Sequence, residues 1–319
     1  MSNLDREADG TQLSIKPTQL SIKPLGAKIG LEIQGLNFSD PLEPTTVDRI
    51  QSLLIEGQFL SFPNQTLTPG RLFEISELFG KPEVNPIWSG MSENPAIIRA
   101  AKKAGGPDPL LCGPQTFGSF HKRPSKLVFA YCDDYSDDYS DDEPVNTDII
   151  CGSMTKAWKG LSKPVQDFVA SLTAIHSAAS VYAPSRDNAG LYVGQNCSQL
   201  AYSDAVYQTS EHPVVHTHPD TGLRSLFINQ AHTLSIKGVG AIESRAILDF
   251  LWAHCARPEF GCRIVCHPKT FMIWDNRVST IMLTEYEELR DRLLYFVTIK
   301  NEERLNPSPI WPSTSQVFV

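Results

Sequence analysis

The chain has 319 residues, 41% hydrophobic and 9% aromatic, enough to bury a large core in one domain or two. Its formal charge of −8 is concentrated in Asp133, Asp134, Asp137, Asp138, Asp141, Asp142 and Glu143; the remainder is close to neutral, which argues against nucleic acid as a partner. Seven cysteines without CxxC spacing, behind an N-terminus unlike a signal peptide, read as free thiols in a cytoplasmic compartment, and no apolar run approaches the roughly 18 residues of a membrane helix.

The sequence TQLSIKP occurs twice in tandem, at 11–17 and 18–24. Such a short duplication fits a tolerant tail, so residues 1–24 are expected to be flexible and 25–319 to form one domain. The second copy alternates well enough to begin a first strand near Leu20. Thr45 and Thr46 before Val47, Ile50, Leu53 and Leu54 predict a capped amphipathic helix. Residues 57–63 predict a buried strand stopped by Pro63. Thr68 as N-cap, with Pro69 at the first helical position, opens a second helix running towards Gly80. Residues 95–99 and 126–132 predict strands, with a loop from 113 before the second.

The run DDYSDDYSDD at 133–142 predicts a solvated loop through residue 143. It lacks the glycine and spacing of a calcium-binding EF-hand. Residues 154–176 predict helix, loop and helix. Residues 177–211 are polar and aromatic without a period, carry Tyr182, Tyr192, Tyr202 and Tyr207, and predict a lid. Residues 212–230 predict a hairpin turning at 219–222. Residues 241–255 predict a helix with Ile242, Ala246, Leu248, Phe250 and Leu251 apolar. Residues 263–266 predict a strand. Two β-rich runs, 270–273 and 293–299, flank a WDNR turn and predict paired strands with a loop at one mouth of a barrel, where a small-molecule site is placed.

Several phrases, in order, carry a family resemblance: RPSKLVFAY at 123–131, LSKP at 161–164, LTAIH at 172–176, HPVVHTHPDTG at 212–222, HCARPEF at 254–260 and WDNR at 274–277. The chain resembles the TauD/TfdA family of Fe(II)/2-oxoglutarate dioxygenases over roughly residues 25–305. The resemblance implies a mainly β, α+β fold: a double-stranded β-helix (cupin-like jelly roll) core with flanking α-helices. It also implies a facial triad of two histidines and a carboxylate around iron. Counting within the family's motifs puts the first histidine at Gln115, the carboxylate at Phe117 and the distal histidine at Ile281. None of the three is a family ligand. The arginine that the family uses on 2-oxoglutarate is matched by Arg292. A second arginine position holds Phe296, and a threonine position holds Ile149.

These replacements lead to an expected site without metal or cofactor. Arg292, His121, His216 and Gln115 are candidate catalytic groups. Phe117, Ile149, Trp88, Tyr202, Trp274, Ile281 and Phe296 are candidate substrate-binding groups. Trp274, Asp275 and Asn276 also have a plainer reading as turn and packing residues. The substrate is expected to be an apolar or acidic small molecule, with no nucleic-acid or membrane partner and with homo-oligomerisation left open. Three functions remain. The first is a non-oxidative cyclase, isomerase or lyase, including a pericyclic one, in specialised metabolism. The second is a non-catalytic ligand-binding pseudoenzyme. The third is an unconventional Fe(II)/2-oxoglutarate oxygenase.

Overall fold

In a computed structural model of the protein, the described residues are 20–26, 29–102, 110, 113–133, 147–183, 200, 201, 203–284, 292–305 and 307. Most of the tail, most of the acidic run and Tyr202 therefore lie outside the described residues.

One large sheet contains, in spatial order, β1 (Ser21–Pro24), β2 (Leu31–Gln34), β3 (Phe59–Phe62), β13 (Thr270–Asp275), β5 (Leu127–Asp133), β15 (Arg292–Ile299) and β4 (Ile98–Lys102). The second copy of the repeat thus enters the sheet, with Ser21 opposite Gln34. The other sheets are smaller. The first sets β12 (Gly261–Cys266), β6 (Thr147–Ser153) and β14 (Ser279–Leu283) side by side. The second joins β11 (Thr233–Ile236), β7 (Thr173–Ser177) and β8 (Thr209–Pro213), and the last pairs β9 (Val215–Thr217) with β10 (Arg224–Leu226).

Strand alternation sorts the large sheet's side chains onto two faces. Phe59, Val128, Ala130, Cys132, Met272, Trp274, Leu294 and Phe296 face the small β12–β6–β14 sheet and share one apolar cluster with Ile149, Cys151, Ile264, Ile281 and Leu283. The opposite face, including Leu60, Phe129, Phe271 and Val297, is covered by helices α1 (Pro44–Gly57) and α2 (Pro69–Glu77). In α1, Val47, Ile50, Leu53 and Leu54 are buried, the spacing of one helical stripe. It ends at Gln58, whose φ of 63° is left-handed. In α2 the Thr68 hydroxyl accepts from the Arg71 N–H and Pro69 occupies the first turn, as expected.

Three expectations change. The paired strands foreseen at the C-terminus do not pair with each other: β5 lies between β13 and β15 and bonds both. β5 is apolar on both faces, which suits a central strand. The chain between β13 and β15 crosses to the small sheet as β14. Secondly, after α3 (Met154–Gly160) and α4 (Lys163–Ala170), the run Thr173–Ser177 is a strand rather than helix, its β-branched residues pairing with β8 and β11. Thirdly, α6 (Ala241–Cys255) has the expected limits but buries Ser244, Leu248, Leu251 and His254. Ile242 and Phe250 point outward, 88% and 49% exposed. The Pro-Asp-Thr-Gly turn is as expected, with Thr217 opposite Arg224 and Gly222 at φ 67°. Within the expected lid, the described part includes a short helix α5 (Ala179–Tyr182).

Candidate functional site

Gln115 and Ile281 meet as an antiparallel bridge. Each donates its backbone N–H to the other's carbonyl, at 2.9 and 2.8 Å. The Thr116 hydroxyl donates to the Ser279 carbonyl at 3.2 Å. Phe117 is held at its backbone by Asn276. The Asn276 Oδ1 accepts from the Phe117 N–H at 2.9 Å, and its Nδ2 donates to the carbonyls of Phe117 and Ser125 at 2.8 and 2.9 Å. One buried carboxamide thus fastens the loop before β5 to the turn after β13. That assignment fits the plainer reading of Asn276 as a turn residue.

The Phe117 ring lies 5.8 Å from Trp274 and 5.5 Å from Phe296, centroid to centroid. Gln115 is 1% exposed. Its Oε1 accepts a long hydrogen bond of 3.4 Å from the Tyr182 hydroxyl. Its Nε2 finds no hydrogen-bond partner among the described residues, nor does the indole N–H of Trp274. A buried donor left unpaired costs about 1–3 kcal/mol.

Ile149 lies on the inner face of β6, opposite Leu283 of β14 and Ile264 of β12. Trp88 joins through Tyr182, their rings 5.8 Å apart. Arg292 opens β15 and shares by alternation the face of Leu294 and Phe296. It is 7% exposed, and its charge acts on the thiol of Cys266.

The two candidate histidines stand elsewhere. The His216 Nε2 is 2.7 Å from the Arg277 carbonyl and its ring packs on Phe227. His121 packs on Phe120 and lines a separate cavity of about 460 Å³ with Glu83, Arg123 and Arg304. Burial lowers both imidazoles to about 4, so each is neutral at pH 7. Tyr182 was not singled out from the sequence. It lay in a stretch without a period, and only the folded chain brings it to Gln115.

Below this wall, WDNR forms a buried ionic knot. Asp275 accepts from His218 Nε2 at 2.9 Å and from the Arg277 guanidinium at 2.6 and 3.0 Å. Burial opposes the Asp275 charge, but the bonds and charges of His218 and Arg277 outweigh it and hold the carboxyl well below its usual range.

A facial iron triad needs two imidazoles and a carboxylate. Here the corresponding positions offer one amide oxygen, which already accepts from Tyr182, a phenyl ring and an aliphatic chain. These side chains do not fit iron. Among the described residues, no three His, Cys, Asp or Glu side chains are grouped to hold a metal. Arg292 does suit a carboxylate such as that of α-ketoglutarate.

The model of the family "Taurine catabolism dioxygenase TauD, TfdA family" matches residues 21–280. An α-ketoglutarate-dependent sulfate ester dioxygenase of Pseudomonas putida is 27% identical over 288 residues, 89% of this chain and 90% of that protein. An α-ketoglutarate-dependent sulfonate dioxygenase of Saccharomyces cerevisiae is 24% identical over 93% of this chain and 72% of its own length. The crystal structure of a taurine dioxygenase from Burkholderia xenovorans superposes with a TM-score of 0.73 and 26% identity, covering 91% of this chain and 94% of that one. The expected jelly roll with flanking helices therefore holds. The expectation that no cofactor takes part does not: these relatives depend on α-ketoglutarate. No described helix is long and apolar enough to cross a membrane.

Proposed function

This chain belongs to the TauD, TfdA family of taurine catabolism dioxygenases, and on that footing we propose that its barrel binds an acidic or apolar small molecule and transforms it by non-oxidative chemistry: cyclisation, isomerisation or elimination. The observation that carries the reading is the wall formed by Gln115, Phe117 and Ile281, where the family resemblance places an oxidising centre and this chain places an amide between hydrocarbons. In this reading the Gln115 Nε2 donates to a ligand oxygen and Tyr182 orients the amide. Arg292 pairs with a ligand carboxylate, and Phe117, Ile281 and Phe296 exclude water, so that positioning and a few polar contacts supply the catalysis.

Kinship favours a second reading, an α-ketoglutarate-dependent oxygenase acting on a small molecule. Both readings predict an anion site at Arg292. With α-ketoglutarate as the calorimetric probe, Arg292→Ala weakens binding about tenfold to a hundredfold, the worth of one charged hydrogen-bonded pair. Gln115→Leu weakens it less. Equal affinity in wild type and both variants would remove the anion site at Arg292 from the account.

A further inference from the structure

Three sulfur atoms meet inside the sandwich, some distance from the Gln115–Ile281 bridge. Along β6, Ile281 stands opposite Cys151 and Cys266 opposite Thr147, roughly 13 Å further along the strand. Cys132 and Met272 point inward from the large sheet, where Cys132 is opposite Thr270 and Met272 opposite Ala130. They are therefore diagonal neighbours on one face. Cys266 reaches them from the small sheet. Its thiol donates to the Met272 Sδ at 3.9 Å and is hydrogen-bonded with Cys132. All three side chains are buried.

Thiolate and thioether are soft donors that select soft cations, and the trio includes no oxygen or nitrogen atom to favour a hard one. Metal–sulfur bonds of about 2.3 Å in a trigonal plane set neighbouring sulfurs about 4 Å apart. The observed 3.9 Å between Cys266 and Met272 already matches that spacing. We infer that Cys132, Cys266 and Met272 form a three-sulfur site for a soft monovalent cation, Cu(I) or its analogue Ag(I). Binding forms two metal–thiolate bonds and one metal–thioether bond and releases two thiol protons to solvent. The metal centre then carries one net negative charge, and the Arg292 cation near Cys266 compensates it. Both thiols lose a proton on binding, so affinity rises with pH. The inference does not require the reaction proposed above, although the two share Arg292.

The test is an anaerobic titration of the fully reduced protein with Cu(I) against a coloured Cu(I) chelator. One equivalent per chain is withheld from the chelator and a thiolate-to-copper band appears in the near ultraviolet. Cys266→Ser and Cys132→Ser each lower the affinity about a hundredfold or more, and Met272→Leu, which conserves volume and apolarity, about tenfold. Cys262→Ser leaves it unchanged, although Cys262 faces Cys151 as a second thiol pair. The inference is overturned if the chelator strips all copper from wild type. It is equally overturned if folded Met272→Leu and Cys266→Ser hold copper as tightly as wild type, which would reduce the trio to core packing.

Discussion

Replacing Asp275 with alanine lowers the unfolding free energy by about 3–5 kcal/mol. Asp275 and Arg277 are each 4% exposed. The carboxylate accepts from the Arg277 backbone N–H, from its guanidinium and from His218. Without it the buried guanidinium keeps, among the described residues, Asp220, which is half exposed, and His218 loses the Asp275 acceptor. An unpaired buried charge costs far more than the net worth of the pair it came from. Asp275→Asn keeps an acceptor and loses less. Urea unfolding at pH 7 measures both, and a loss below about 1 kcal/mol for Asp275→Ala would contradict the knot's structural role. The damage should extend to the site, because the neighbouring Asn276 fastens Phe117.

Mild acid should unfold the protein. Burial lowers His121, His212 and His216 to about 4 and His232 to about 3. His176 is held well below its usual value by burial, then by the neighbouring His212 and His232. The unfolded chain protonates these imidazoles near pH 6.5, while the folded chain resists until about 4. Their contribution is complete above pH 6.5 and drains away as pH falls towards 4. Each fully buried imidazole removes up to about 1.4 kcal/mol per pH unit in that window. Several together approach the whole stability of a typical domain, roughly 5–15 kcal/mol. Asp275 acts lower, below its ordinary carboxylate range, so the two effects separate. The measurement is the urea midpoint at pH 7, 6 and 5. His232→Phe, placed between Phe120 and Tyr182, should raise the midpoint at pH 5 relative to wild type. A midpoint that stays constant from pH 7 to 5 would contradict the assignment of neutral buried imidazoles.

Local signals in the sequence translated well where one element decides its own structure. Thr68 and Pro69 start α2, the Pro-Asp-Thr-Gly turn closes its hairpin, and α6 runs between the expected limits. Pairing was less legible. Nothing in 270–273 or 293–299 reveals that a strand 140 to 170 residues earlier inserts between them, because that choice is made by the faces β5 must bury. The helical face of α6 was misjudged for a related reason: burial of Ser244 and His254 depends on polar partners, the Ile236 N–H and the Ala157 carbonyl, that hydrophobic periodicity does not register. At the site, motif counting reached positions 115, 117 and 281, and the fold brings 115 and 281 into one bridge. Tyr182 and the Asn276 clamp were beyond that method. Their roles arise from contacts across 67 and 159 residues of chain.

The central proposal is that Gln115, Phe117 and Ile281 turn a dioxygenase scaffold to non-oxidative work. The most direct measurement is succinate formation from α-ketoglutarate under air with Fe(II) and ascorbate supplied, for wild type beside a Gln115→His, Phe117→Asp, Ile281→His variant. The account predicts no succinate above the protein-free rate for wild type and measurable uncoupled turnover in the folded variant. Oxygen-dependent succinate release by the wild-type chain would contradict it.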